Sequence, residues 1–95
     1  MPGKVFISHS SKDQEIADAI RQHLESKGVP CWIAPRDIEP GADWTEGIMR
    51  GIASSRIFVL VFSGNANNSD HVRREVGKAF SLHLPVIPFR TEAIE

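Results

Sequence analysis

The chain has 95 residues, a formal net charge of −1 at pH 7, 41% hydrophobic residues and 24% charged ones. That balance excludes a disordered tail or a coiled coil. With no basic run, it offers no electrostatic footprint for nucleic acid or an anionic membrane.

The N-terminal MPGKVFIS lacks a signal-peptide core, and KVFI (4–7) reads as a first strand. SHSS follows, where Ser11 and Gln14 have the spacing of a capping box opening a helix. Ile16, Ile20 and Leu24 give that helix one apolar stripe, and Gly28 stops it. PCWI (30–33) is a second strand. It carries Cys31, the only cysteine, which cannot close an internal disulfide and so favours a reducing compartment. The next segment, IAPRDIEPGADW (33–44), holds two prolines, a glycine and a block of charge. A loop with so much composition specified usually binds something.

Asp43 is placed to cap a helix in which Trp44, Ile48, Met49 and Ile52 share a face. RIFVLVF (56–62) is continuously apolar, which implies burial on both faces and a central place in a sheet. It is far too short to span a bilayer, so a soluble, cytoplasmic domain is expected. SGNANNSD is a turn-rich loop. A helix over about 70–82 follows, with Val72, Val76, Ala79 and Phe80 as its buried stripe. PVIPF (85–89) is a fourth strand, its Pro88 tolerable near a strand end. Strands alternating with helices predict one α/β domain over residues 1–95 around a parallel sheet. The alternation calls for another element after Glu95, so a domain truncated at its C-terminus, part of a longer protein, is expected.

In open α/β sheets the ligand crevice lies beyond the carboxyl ends of the strands. SHSS, the 33–44 loop and SGNANNSD all reach that edge. Glu75 borders the apolar stripe of its helix, and from position alone a surface residue is favoured over one held in a cleft. No G-x-G-x-x-G or G-x-x-x-x-G-K-[ST] follows a strand, which argues against a Rossmann cofactor site or a Walker phosphate loop. A phosphate-accepting receiver domain needs an acidic pair, an aspartate and a lysine at three strand ends. Here those places hold Ser8-His9-Ser10, Ser63 and Arg90.

Histidines 9, 23, 71 and 83 and Cys31 lack metal-ligand spacing, so no metal site is expected. His23 and His83 read as helix-surface or helix-end residues. Ser10 and Ser11 suit helix capping at least as well as ligand contact. Trp44 reads as core, and Arg73 and Arg74 as a solvated helix face.

KVFISHSSKD, WIAPRDIEPGADW, RIFVLVFS and REVGKA, in that order and spacing, resemble the Toll/interleukin-1 receptor (TIR) domain family in its bacterial form, over about residues 4 to 90. The resemblance implies a flavodoxin-like three-layer α/β/α fold with a central parallel sheet. Four strands would be present, and the family's fifth strand and last helix missing. It implies that residues 34–43 form the BB loop, which contacts other TIR domains through Arg36, Asp37, Ile38, Pro40 and Gly41 and gates a nucleotide pocket. Many members cleave NAD+ at the nicotinamide–ribose bond, which implies Glu75 as the catalytic carboxylate.

Ser10, Ser11, Arg36, Trp44 and His71 would then bind NAD+, a substrate with no further cofactor. Many active relatives carry tryptophan four residues before the glutamate, where this chain has His71. Homotypic TIR assembly and a fused sensor or effector domain are also implied. The alternative is a TIR scaffold in signal transduction that pairs with other TIR domains and catalyses nothing.

Overall fold

The four apolar runs become four parallel strands in the computed structural model, which describes residues 3–90. In chain order the elements are β1 (Lys4–Ser8), a 3-10 turn (Ser11–Asp13), α1 (Gln14–Ser26), β2 (Cys31–Trp32), α2 (Trp44–Ala53), β3 (Ser55–Phe62), α3 (Gly64–Asn67), α4 (Asp70–Ser81) and β4 (Val86–Arg90). The strand order is β2-β1-β3-β4, the flavodoxin-like arrangement.

The pleat of β1 sends alternate side chains to opposite faces of the sheet. Val5 and Ile7 join Cys31, Ile33 and Val61 under Ala17, Ile20 and Leu24 of α1. Phe6 points the other way, into a second cluster with Trp32, Phe58, Ile52 of α2 and Ala79 of α4. The layers are therefore α1, the sheet, and α2 with α4. Register sets Phe6 beside both Trp32 and Phe58. Their rings stack across three strands, with centroids 5.0 and 5.4 Å apart and planes within 10°.

Several local expectations shift. Ser10, not Ser11, caps the segment after β1: its hydroxyl accepts from Lys12 N at 3.2 Å and starts the 3-10 turn. Gln14 makes no capping box, because its side chain bonds His9 and Asp18 instead. Asp43 does cap α2, accepting from Glu46 N at 2.9 Å. The SGNANNSD stretch is not all loop, since Ser63 accepts from Ala66 N and caps the single turn of α3.

β3 lies inside the sheet as expected, between β1 and β4, but its burial is uneven. Phe58 and Val61 are buried, whereas Ile57, Val59 and Leu60 are half-buried. Ile87 and Phe89, beside Val59 and Val61 in register, are 50% and 48% exposed. In α4 the buried stripe is Val72, Glu75 and Ala79, while Phe80 is 64% exposed. Among the described residues no helix is long and apolar enough to cross a membrane.

One contact gives a direct test of the packing. A Cβ added at Gly51 of α2 would lie 2.6 Å from the Trp32 ring, which the Phe6 stack holds in place. Alanine gains up to about 1 kcal/mol over glycine inside a helix, but overpacking a core costs about 1–3 kcal/mol. Gly51→Ala should therefore lower the urea midpoint, with a net loss of stability.

Candidate active site

The carboxyl ends of β1 and β3 lie on either side of the point where the strand order reverses. Open α/β sheets bind their ligands at such a point. Ser8 closes β1 two residues beyond Phe6, so the pleat puts both on the same face, the one that α4 covers. Ser69 caps α4 by accepting from Val72 N at 3.3 Å, and Ala79 seats the helix on the aromatic stack. One turn before Ala79 stands Glu75.

Glu75 is 4% exposed, so the surface reading of this residue is overturned. Its position between Val72 and Ala79 on one stripe aims the side chain at the sheet. Oε1 accepts a hydrogen bond from Ser8 Oγ at 2.7 Å, wholly buried. Oε2 lies 3.1 Å from Nδ1 of His71, one turn back along the helix. The carboxylate is thus gripped from within by the sheet and from without by an imidazole whose side chain is 49% exposed.

A cavity of about 420 Å³ opens in front of this pair. Of the residues singled out from sequence, it is lined by Ser11, Trp44, His71 and Glu75. Trp44 is 58% exposed, so it is a rim residue and not core. His9, Gln14 and Arg74 add polar groups, over apolar surface from Phe6, Ile7 and Ile48. Arg74 is exposed, as a solvated helix face requires, yet it also lines the cavity and forms no ion pair among the described residues. Sequence reasoning assigned no site role to Ser8, His9 and Gln14, which meet Glu75's surroundings only through the fold.

Two expected residues stand elsewhere. Ser10 is 6% exposed and spends its hydroxyl on Lys12 N. Arg36 does not line the cavity. Its guanidinium bonds Glu25, Asp37 and the Cys31 carbonyl. The hydrogen bond to Glu25, then the one to Asp37, raises the Arg36 pKa, and the same Arg36 contact holds the Glu25 carboxyl below its ordinary value. Burial pushes the Cys31 thiol up.

The 34–43 loop is braced from inside. Asp37 accepts from Ile33 N at 2.9 Å, Ile38 N donates to the Pro35 carbonyl, and the Ile38 side chain packs on the second core. Pro40 and Gly41 are left exposed at the tip, and the φ of +81° at Gly41 is one that side chains rarely adopt. Across the crevice, buried Asp13 accepts from Ser63 Oγ at 2.5 Å and Asn65 Nδ2 at 3.2 Å. That ties the segment after β1 to the one after β3. Among the described residues no three His, Cys, Asp or Glu side chains come together as metal ligands.

Comparison of the sequence with known proteins points to one family. A family model described as TIR domain matches residues 5–95. The chain is 27% identical over 82 residues to a protein of Paracoccus denitrificans (strain Pd 1222) named NAD(+) hydrolase PdTIR, covering 85% of this chain and 27% of that one. It is 34% identical over 86 residues to mouse Toll-like receptor 12, covering 84% of this chain and 10% of the receptor. The chain thus spans about a quarter and a tenth of the lengths of these two relatives. Among solved structures, the TIR domain of the Toll-related receptor TRR-2 from Hydra magnipapillata superimposes with a TM-score of 0.88 at 23% identity, covering 98% of this chain and 74% of that one. The likeness reaches bacterial and animal proteins alike.

The Ser8–Glu75 contact is open to direct test. Ser8→Ala leaves a buried carboxylate oxygen without its donor, which should cost about 2–3 kcal/mol. Urea unfolding of the variant beside the parent chain measures it.

Proposed function

This chain belongs to the TIR domain family, and from that premise we propose that it cleaves NAD+ at the nicotinamide–ribose bond, with Glu75 as the catalytic carboxylate. The observation that supports this reading is the burial of Glu75 at the wall of a cavity, held by Ser8 and His71. A relative of similar sequence bears the name NAD(+) hydrolase, which points the same way.

The chemistry suits one carboxylate. Nicotinamide departs from a pyridinium as a neutral molecule, so it needs no general acid, unlike an ordinary sugar leaving group. Positive charge develops on the ribose instead. A carboxylate already fixed in a site screened from bulk water stabilises that charge without having to reorganise. Ser8 and the helix hold Glu75 in one orientation, and the Phe6 and Ile48 surface shields it. Arg74 at the cavity wall, without an ion pair among the described residues, is a cation for the diphosphate of the dinucleotide, a pairing its guanidinium fork favours.

The exposed tip of the 34–43 loop, Pro40 and Gly41, is offered for homotypic TIR contacts that would switch the activity on. Its internal hydrogen bonds spare a partner the entropy of ordering it. The companion reading, a scaffold that assembles and catalyses nothing, shares that loop and differs only at Glu75.

Two measurements separate these. Nicotinamide release from NAD+, at high protein concentration to favour assembly, should vanish in Glu75→Gln while the melting temperature stays within a few degrees of the parent's. Release that persists in Glu75→Gln sinks the catalytic assignment, and no release from the folded, self-associating parent leaves an interaction module. Arg74→Ala should raise KM about tenfold or more with kcat little changed, the loss of one charge-assisted contact of roughly 1.5–3 kcal/mol.

A further inference from the structure

We infer that His71 is the general base of the reaction: its Nε2 accepts the proton of the water that captures the ribose, so the product is linear ADP-ribose. This rests on the hydrolytic reading above and adds a second catalytic group to it.

The geometry fixes which nitrogen is available. Nδ1 of His71 lies 3.1 Å from Glu75 Oε2, and a carboxylate can only accept a hydrogen bond. Nδ1 therefore carries the hydrogen, and in the neutral ring Nε2 presents a lone pair. Among the described residues the ring makes no hydrogen bond other than the one to Glu75. It lines the cavity with half its surface open, so water and a substrate can both reach it. A carboxylate that orients one imidazole nitrogen while the other takes a proton is the arrangement of hydrolytic dyads and triads on unrelated folds.

Among the described residues that line the cavity, His71 is the most accessible base. From the segment after β1 the cavity receives one other imidazole, His9, whose Nε2 donates to Gln14 Oε1 at 3.1 Å and so leaves Nδ1 with a lone pair; at 7% exposure it is far less open to water than His71. From α2 it receives Trp44, Thr45 and Ile48, none with a proton-accepting nitrogen or carboxylate. From α4 it receives Glu75 itself and Arg74, a cation.

The step balances. The bond between the ribose C1′ and the pyridinium nitrogen breaks, and its electron pair neutralises the departing nicotinamide. Water oxygen bonds to C1′ and gives one proton to His71 Nε2, which returns it to solvent. Glu75 keeps its charge throughout and answers the positive ribose. With the base dedicated to water, an internal nucleophile such as the adenine loses the competition for C1′.

The test uses His71→Gln, His71→Ala and added imidazole, with nicotinamide, ADP-ribose and cyclic product quantified together. Glutamine can still donate to Glu75 but cannot take a proton, so both variants should lose about 100-fold in kcat. Imidazole should restore the alanine variant with saturation, and the cyclic fraction should rise where the base is missing. A His71→Gln chain that keeps its kcat within about twofold overturns the role of His71 as a base. Failure of imidazole to restore the alanine variant overturns it too, leaving His71 a positioning partner of Glu75. A parent chain that releases no nicotinamide overturns the hydrolytic reading beneath it, an outcome distinct from either.

Discussion

The stack of Trp32, Phe6 and Phe58 is the contact on which the candidate site is built. Three aromatic rings in register across β2, β1 and β3 lock the mutual shift of three strands, because a slip by one residue would send every side chain to the opposite face. With Phe6 fixed on the α2/α4 side, Ser8 must emerge on that same side at the carboxyl end of β1. With Ala79 seated on the same cluster, Glu75 must arrive one helical turn away. The 2.7 Å contact between Ser8 and Glu75 spans 67 positions of sequence, and hydrophobic packing decides it before either polar group is considered.

The rim is then organised by short-range polar bonds that the core does not dictate. Asp13 reaches Ser63 and Asn65, so the loops after β1 and β3 cannot part. Asp37 turns the 34–43 loop back onto Ile33, and Arg36 clasps that turn to Glu25 on α1. Arg36 is consequently part of the loop's frame. Its bonds to two carboxylates and a carbonyl would have to be exchanged before it could reach a ligand, a cost that Arg74, without an ion pair among the described residues, does not carry. Exposed pairs contribute little stability singly, and the weight here falls on the buried Asp13 and on the bond from Ile33 N to Asp37.

Much of this was legible in the sequence, and the misses have identifiable causes. Apolar periodicity located all four strands and the three long helices, and the four quoted segments carried a family resemblance over about residues 4 to 90, where the family model matches residues 5–95. Glu75 and Phe80 flank the Val72/Val76/Ala79 stripe on opposite sides, and periodicity alone cannot decide which flank the sheet buries; apolar character favours Phe80 inward and Glu75 at the surface. The sheet reverses that choice: Ser8 supplies a partner for the carboxylate, while Phe80 is left 64% exposed. Ser10 and Ser11 are equivalent as capping residues by type. What selects Ser10 is its extended backbone, φ −69° and ψ 150°, which leaves its hydroxyl facing the next turn. The single turn of α3 is too short for any periodic signal, and Trp44 is apolar by composition yet stands on a cavity rim that only the folded chain creates.

Glu75 is costly in the terms that stabilise the rest of the domain. Removing a carboxylate from water carries a penalty of about several kcal/mol, recovered only when a close opposite charge and full hydrogen bonding replace the solvent. Here one neutral hydroxyl and one half-exposed imidazole are the replacements, and neither Arg73 nor Arg74 comes close enough to pair with it. Asp13, buried to a similar degree, differs because its two donors knit two loops together. No comparable structural gain attaches to Glu75, since an apolar residue beside Val72 and Ala79 would complete the stripe. A local violation of packing logic without a structural return is the pattern expected where a side chain is kept for chemistry. That difference between two buried carboxylates, and not the burial alone, is what singles out Glu75.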